Sequence, residues 1–115
     1  MDQKIYKILR ESEWENALEA DVLTGSPIDI KDGFIHFSTS SQVKETAKKH
    51  FSREDNLFLL EIDINDLSND LLKWETSRNG QLFPHLYSSL EIKVISQIWP
   101  LRPTDDGPHD FSVIE

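Results

Sequence analysis

Asp32-Gly33-Phe34-Ile35-His36-Phe37-Ser38-Thr39 is the stretch on which the rest of the chain turns. Strand alternation puts Phe34, His36 and Ser38 on one face and Ile35 and Phe37 on the other. Asp32-Gly33 is a turn signal in front of it. Thr39 with Gln42 has the spacing of a capping box, which predicts a helix start behind it. A strand that carries a His and a Ser to the mouth of a helix makes a floor for a polar site. A second run, Phe83-Pro84-His85-Leu86-Tyr87, repeats the layout: a histidine in an apolar strand with a hydroxyl two residues on, facing the same way. The two runs are expected to meet.

Working outward, residues 4–9 read as a first strand. Ser12 as N-cap with Glu15 at N3 opens a helix to about Ala20, with Trp14, Ala17 and Leu18 toward the core. Thr24-Gly25-Ser26-Pro27 breaks it and begins a loop. Beyond the central strand, a second helix covers residues 41–51 and buries Val43, Ala47 and Phe51. Residues 57–64 form the strongest strand: Phe58, Leu60, Ile62 and Ile64 share one face and Leu57 and Leu59 begin the other, the pattern of a central strand. Residues 71–75 form a strand with Trp74 toward the core, opposite Glu75. Asn79-Gly80 marks a hairpin turn into residues 82–87, where Pro84 implies an edge or irregular strand. Residues 91–99 read as the last strand, with Ile92 and Val94 on one face and Pro100 ending it. The order β-α-β-α followed by four strands predicts an α+β fold: small, mostly antiparallel sheets and two helices in the N-terminal half.

The 115 residues suffice for one domain, 1–115, with a core over about 4–99 and a tail over 100–115. Hydrophobic residues at 37% against 29% charged describe a folding chain. No apolar run is long enough to span a bilayer, and Met1-Asp2-Gln3-Lys4 lacks a signal-peptide core. With no cysteine there are no disulfides, thiolate metal sites or Cys nucleophile, and a cytoplasmic location is expected. A net charge of −9 disfavours bulk nucleic-acid binding. Lys44, Lys48, Lys49 and Arg53 are a local exception that reads as a solvated helix face. All four glycines are isolated, so no phosphate loop is present.

Of the four histidines, His50 and His109 read as surface groups, whereas His36 and His85 are embedded in strands. A hairpin brings Glu75 or Arg78 close to His85, where a carboxylate fixes the imidazole tautomer. His36, His85 and Glu75 are therefore the candidate catalytic residues. Ser38, Thr39, Arg78 and Tyr87 are candidate ligand contacts, and Tyr6 or Tyr87 a candidate stacking platform for a base. His36, His85 and Glu75 also make a recognised metal-ligand set, but no His-x-His or His-x-x-x-His spacing supports it, and no metal is predicted.

Residues 32–39 with Gln42 and Val43, Trp74-Glu75-Thr76-Ser77-Arg78, residues 82–87 and Ile5-Tyr6-Lys7-Ile8 together resemble a small bacterial family, domain of unknown function 952, over residues 4 to 99. Asn79 and Ser88 stand where glycine is expected. The resemblance implies an ADP-ribosyltransferase-like fold, distantly similar to bacterial RNA 2'-phosphotransferases, which bind NAD in a cleft between two small sheets. It implies that His36 and Ser38 face that cleft, that Glu75, Arg78, His85 and Tyr87 complete it, and that Lys7, which replaces the usual first-strand His or Arg, is a further candidate ligand contact. The functions that follow are an NAD- or ADP-ribose-dependent enzyme, a non-enzymatic ligand- or partner-binding domain, and a two-histidine phosphoesterase acting on a 2',3'-cyclic phosphate.

Overall fold

The computed structural model describes residues 3–115, except for the side chain of Arg78. The candidate role of Arg78 therefore lies outside the described residues.

Strand β4 (Leu57–Asp63) is apolar on both faces because both are covered. It is the middle of a three-stranded antiparallel sheet, between β1 (Lys4–Arg10) and β8 (Ile95–Leu101). On one face Leu60 and Ile62 join Ile5 and Leu9 of β1 in a core with Ile35, Phe37, Leu86 and Leu90. On the other, Leu57 and Leu59 join Tyr6, Ile8, Leu101 and Phe111 under Val43 and Ala47. Burial of each Leu or Ile in these layers contributes about 1.5–3 kcal/mol. The core thus reaches beyond residue 99: Leu101 and Phe111 are buried, and the tail is folded back onto the sheet.

A second three-stranded sheet has the order β3 (Ile35–His36), β6 (Leu82–Leu86), β5 (Leu72–Thr76), again antiparallel throughout. A short ladder pairs β2 (Val22–Leu23) with β7 (Leu90–Glu91). The opening stretch is the seam between the two larger sheets. Ile35 and His36 pair with β6, and two residues later Ser38 exchanges both backbone hydrogen bonds with Tyr6 of β1, at 2.8 and 2.9 Å.

Several expectations are corrected. Among the described residues there are three α-helices, not two: α1 (Glu11–Ala20), α2 (Pro27–Asp32) and α3 (Val43–His50). The loop expected after Gly25 is α2, which begins with Ser26 as N-cap and Pro27 in its first position. Helix α1 starts earlier than the Ser12/Glu15 pair implies, because the Arg10 N–H donates to Glu13 Oε1 at 2.8 Å. Helix α3 starts later, after a turn in which the Thr39 carbonyl accepts the Gln42 and Val43 N–H groups.

Pro84 lies in the central strand of its sheet. Its carbonyl accepts the Phe37 N–H at 3.0 Å, and its missing N–H falls where β3 ends and the chain crosses to β1. The single strand expected over 91–99 is split by a 3₁₀ turn at Ile92–Val94, because residues 90–91 pair with β2 and residues 95–101 with β4. Pro100 lies within β8, an edge strand that tolerates it. Trp74, expected toward the core, is exposed on β5, an edge strand of the second sheet. Among the described residues no helix is long and apolar enough to cross a membrane.

Candidate functional site

His36 and His85 are directly opposite on β3 and β6. The neighbouring Phe37/Pro84 rung carries the backbone hydrogen bond, so the histidines occupy the narrow, non-hydrogen-bonded rung, where facing side chains lie closest. Their ring centroids are 5.3 Å apart. Phe34 stacks on His85 at 4.2 Å and packs on His36 at 4.5 Å and Tyr87 at 5.1 Å, walling one end of the pair.

Each imidazole is backed through Nδ1 by a carboxylate. Behind His85 is Glu75, two rungs along the β5–β6 ladder and so on the same face, with Oε1 at 2.8 Å. The Tyr87 hydroxyl donates to the same oxygen at 2.7 Å. That bond first, and the His85 contact second, hold the Glu75 carboxyl below its ordinary range, while the bond to Glu75 pushes the Tyr87 phenol up. An ionised Glu75 accepts from Nδ1–H, which leaves His85 Nε2 as the other functional nitrogen. His85 is buried at 5% exposure.

Behind His36 is Asp29, a residue that composition and strand pattern did not single out. Its Oδ1 accepts the His36 backbone N–H at 3.1 Å and faces ring Nδ1 at 2.6 Å; Oδ2 accepts the Ser26 N–H and pairs with Lys7 Nζ, both at 2.9 Å. Burial alone would push this carboxyl up. The His36 hydrogen bond, the Lys7 charge and the Ser26 N–H outweigh it and hold Asp29 far below the usual carboxylate range. Lys7 also donates to the His36 carbonyl at 3.1 Å. A second carboxylate, Asp32, lies 3.1 Å from His36 Nε2.

The pair borders a cleft of about 700 Å³ running between α2, α3 and the edge of β1 beside its bridge to Ser38. Among the described residues its lining includes Lys7, Arg10, Lys49 and three histidines, with Asp29 the only acidic residue. Lys7 is paired with Asp29, and Arg10 donates to both oxygens of Glu54, so the lining is polar and much of its positive charge is offset locally.

Of the candidate residues, His36, His85, Ser38, Lys7 and Tyr6 line this cleft. Ser38 is buried with its hydroxyl 3.0 Å from that of Thr46. Tyr6 is no stacking platform: its ring is 5% exposed and its hydroxyl donates to Glu61 at 3.0 Å. Thr39 is buried and bonded to Ser41 and Gln42, shaping the turn into α3 outside the cleft. Glu75 and Tyr87 also lie outside the lining, on the far side of His85. Tyr87 is 39% exposed but tied by its hydroxyl. Among the described residues no three His, Asp or Glu side chains converge as a metal ion requires.

Two signals pointed toward Asp29. Ser26-Pro27-Ile28-Asp29 has N-cap, N1 and N3 residues in place. Lys7 lies between Ile5 and Leu9 on a core-facing side of β1, which demands a buried anion. The partnership itself, 22 positions apart, has no local signature.

The profile of the family described as "Protein of unknown function (DUF952)" matches residues 8–98. The chain belongs to this family. It is similar to the crystal structure of protein CC0527 from Caulobacter crescentus, with 41% identity, a TM-score of 0.89 and 96% of each chain covered. The solution NMR structure of the same protein gives 42% identity and a TM-score of 0.83, over 92% of this chain and 90% of that one. No curated protein matches the sequence. The family likeness spans both sheets and both histidine runs.

Proposed function

We propose that the protein is an enzyme acting on a small phosphate-bearing ligand of the NAD or ADP-ribose class, with His36 and His85 at the point of chemistry. The observation that carries this reading is the imidazole pair, 5.3 Å apart and each backed by a carboxylate, at the edge of a polar cleft. The cleft volume lies within the range of small-molecule sites. The resemblance to ADP-ribosyltransferase-like proteins supplies the ligand class.

Glu75 works behind His85, not on the ligand: it keeps Nδ1 protonated so that Nε2 accepts a proton. In ribosyl transfer, an attacking water or hydroxyl oxygen bonds to the ribosyl carbon and its proton passes to His85 Nε2. The carbon–nitrogen bond to nicotinamide breaks, and the electron pair leaves with nicotinamide. Calorimetry with NAD and ADP-ribose, and chromatography of released nicotinamide, test this. Saturable binding with turnover lost in His85→Gln is the expected result. No binding of either ligand at millimolar concentration ends the proposal, and binding without turnover leaves a ligand-binding domain.

The matched Nδ1–carboxylate contacts favour one second reading, acid–base transfer at a phosphodiester by the two histidines. It requires a bell-shaped pH–rate profile on 2',3'-cyclic nucleotides. Absence of turnover on these substrates removes it.

A further inference from the structure

We infer that Lys7 and Asp29 form a positioning pair that sets the tautomer and orientation of His36, and that this is why a charged pair is kept inside an otherwise apolar layer. The inference rests on the acid–base reading of the cleft and assigns to two of its lining residues a role that acts through His36.

The geometry is over-determined. His36 is held at three points: ring Nδ1 and backbone N–H by one Asp29 oxygen, and backbone carbonyl by Lys7 Nζ. The Asp29 side chain is fully buried, and its two oxygens take four contacts, so it has no freedom to swing. The backbone makes room for it. Gly25 has φ +113°, and a Cβ there would meet Asp29 Cβ at 2.6 Å. Lys7 is 8% exposed on a β1 face shared with Ile5 and Leu9, where an apolar residue would pack without desolvating a charge. A buried ion pair is weak evidence for stability, because a well-packed apolar pair in its place is often as stable. A pair that holds one histidine by its ring, its N–H and its carbonyl has a different use. Two carboxylates compete for the single proton of the neutral ring, and the shorter contact to the buried, fixed Asp29 places it on Nδ1 in preference to Nε2, which lies 3.1 Å from the more exposed Asp32.

The test uses the full chain and reads the ring nitrogens of His36 by long-range proton–nitrogen NMR, assigned by their loss in His36→Gln. In the unaltered protein the neutral ring is expected as the Nδ1–H tautomer. In Lys7→Met/Asp29→Leu, which replaces both charges with apolar side chains, a folded protein with a mixed or reversed tautomer is expected. Turnover of whichever nucleotide the wild type accepts should fall roughly 10- to 100-fold, the loss that follows removal of a group orienting an imidazole. If the double variant does not fold, Asp29→Asn gives the same readout. An unchanged tautomer in either folded variant overturns the inference. Changed tautomers in a protein that turns over no nucleotide leave the positioning pair standing and remove the proposed reaction.

Discussion

Asp29 Oδ1 takes both the backbone N–H of His36, at 3.1 Å, and its ring Nδ1, at 2.6 Å, so one buried oxygen controls the residue's main chain and side chain together. Through its other oxygen Asp29 is tied to Lys7 on the opposite sheet. The contact is thus a structural clamp across the seam as well as part of the site, and its energetics can be measured without a substrate.

Removing one partner of this pair should be costly and removing both should not. Asp29→Leu leaves a buried ammonium without its counter-charge and two backbone N–H groups without an acceptor, and a loss of about 3–5 kcal/mol is expected. Lys7→Met should lose a similar amount, since it strands the carboxylate. The Lys7→Met/Asp29→Leu double variant should recover most of it. Urea unfolding of all four proteins checks this; additive losses would show that the two residues do not interact.

The pH dependence has a definite sign. The folded-state carboxyl of Asp29 lies below its ordinary value of 3.8, so its contribution to stability is complete above about that pH and is lost as pH falls further. Stability measured by urea midpoint from pH 6 down to pH 3 should therefore decline more steeply in the wild type than in Asp29→Asn. Parallel curves would contradict the assignment.

Glu75 and Tyr87 perturb one another through one hydrogen bond of 2.7 Å. Glu75→Gln should bring the Tyr87 phenol back down toward its ordinary 10.0, and Tyr87→Phe should raise the Glu75 carboxyl toward 4.5. Both titrations are visible by NMR. Because both groups face solvent, neither variant should change the unfolding midpoint appreciably.

Two glycines separate backbone strain from crowding. Gly33, at φ +86°, has open space where a Cβ would stand, so Gly33→Ala should cost only the left-handed penalty of about 1–2 kcal/mol. Gly25→Ala meets the same kind of penalty and a clash with Asp29. It should cost more and should also displace the His36 ring resonances. Equal losses in the two variants would mean that the chain relaxes around position 25.

Local pattern carried much of this fold. The two-faced apolar run of β4, the hairpin at Asn79-Gly80 and the shared faces of His36 with Ser38 and of His85 with Tyr87 follow from side-chain period and turn chemistry, which act between near neighbours. The proximity of Glu75 to His85 followed from the same hairpin. Helix α2 was hidden because Gly25 and Pro27 read as breakers, although Pro in a first turn starts a helix as readily as it stops one.

The amino-acid sequence by itself determined where β1, β4, β5 and β6 lie, which way their side chains alternate and that two histidines share one layout. Only the tertiary structure decided that those histidines occupy one rung and that Asp29 comes to lie between Lys7 and His36. It also decided that Pro84 sits at the end of a ladder inside a sheet. The physical reason is range: alternation and capping are fixed within a few bonds, whereas cross-strand register and the pairing of a buried charge are settled by which distant surfaces pack together.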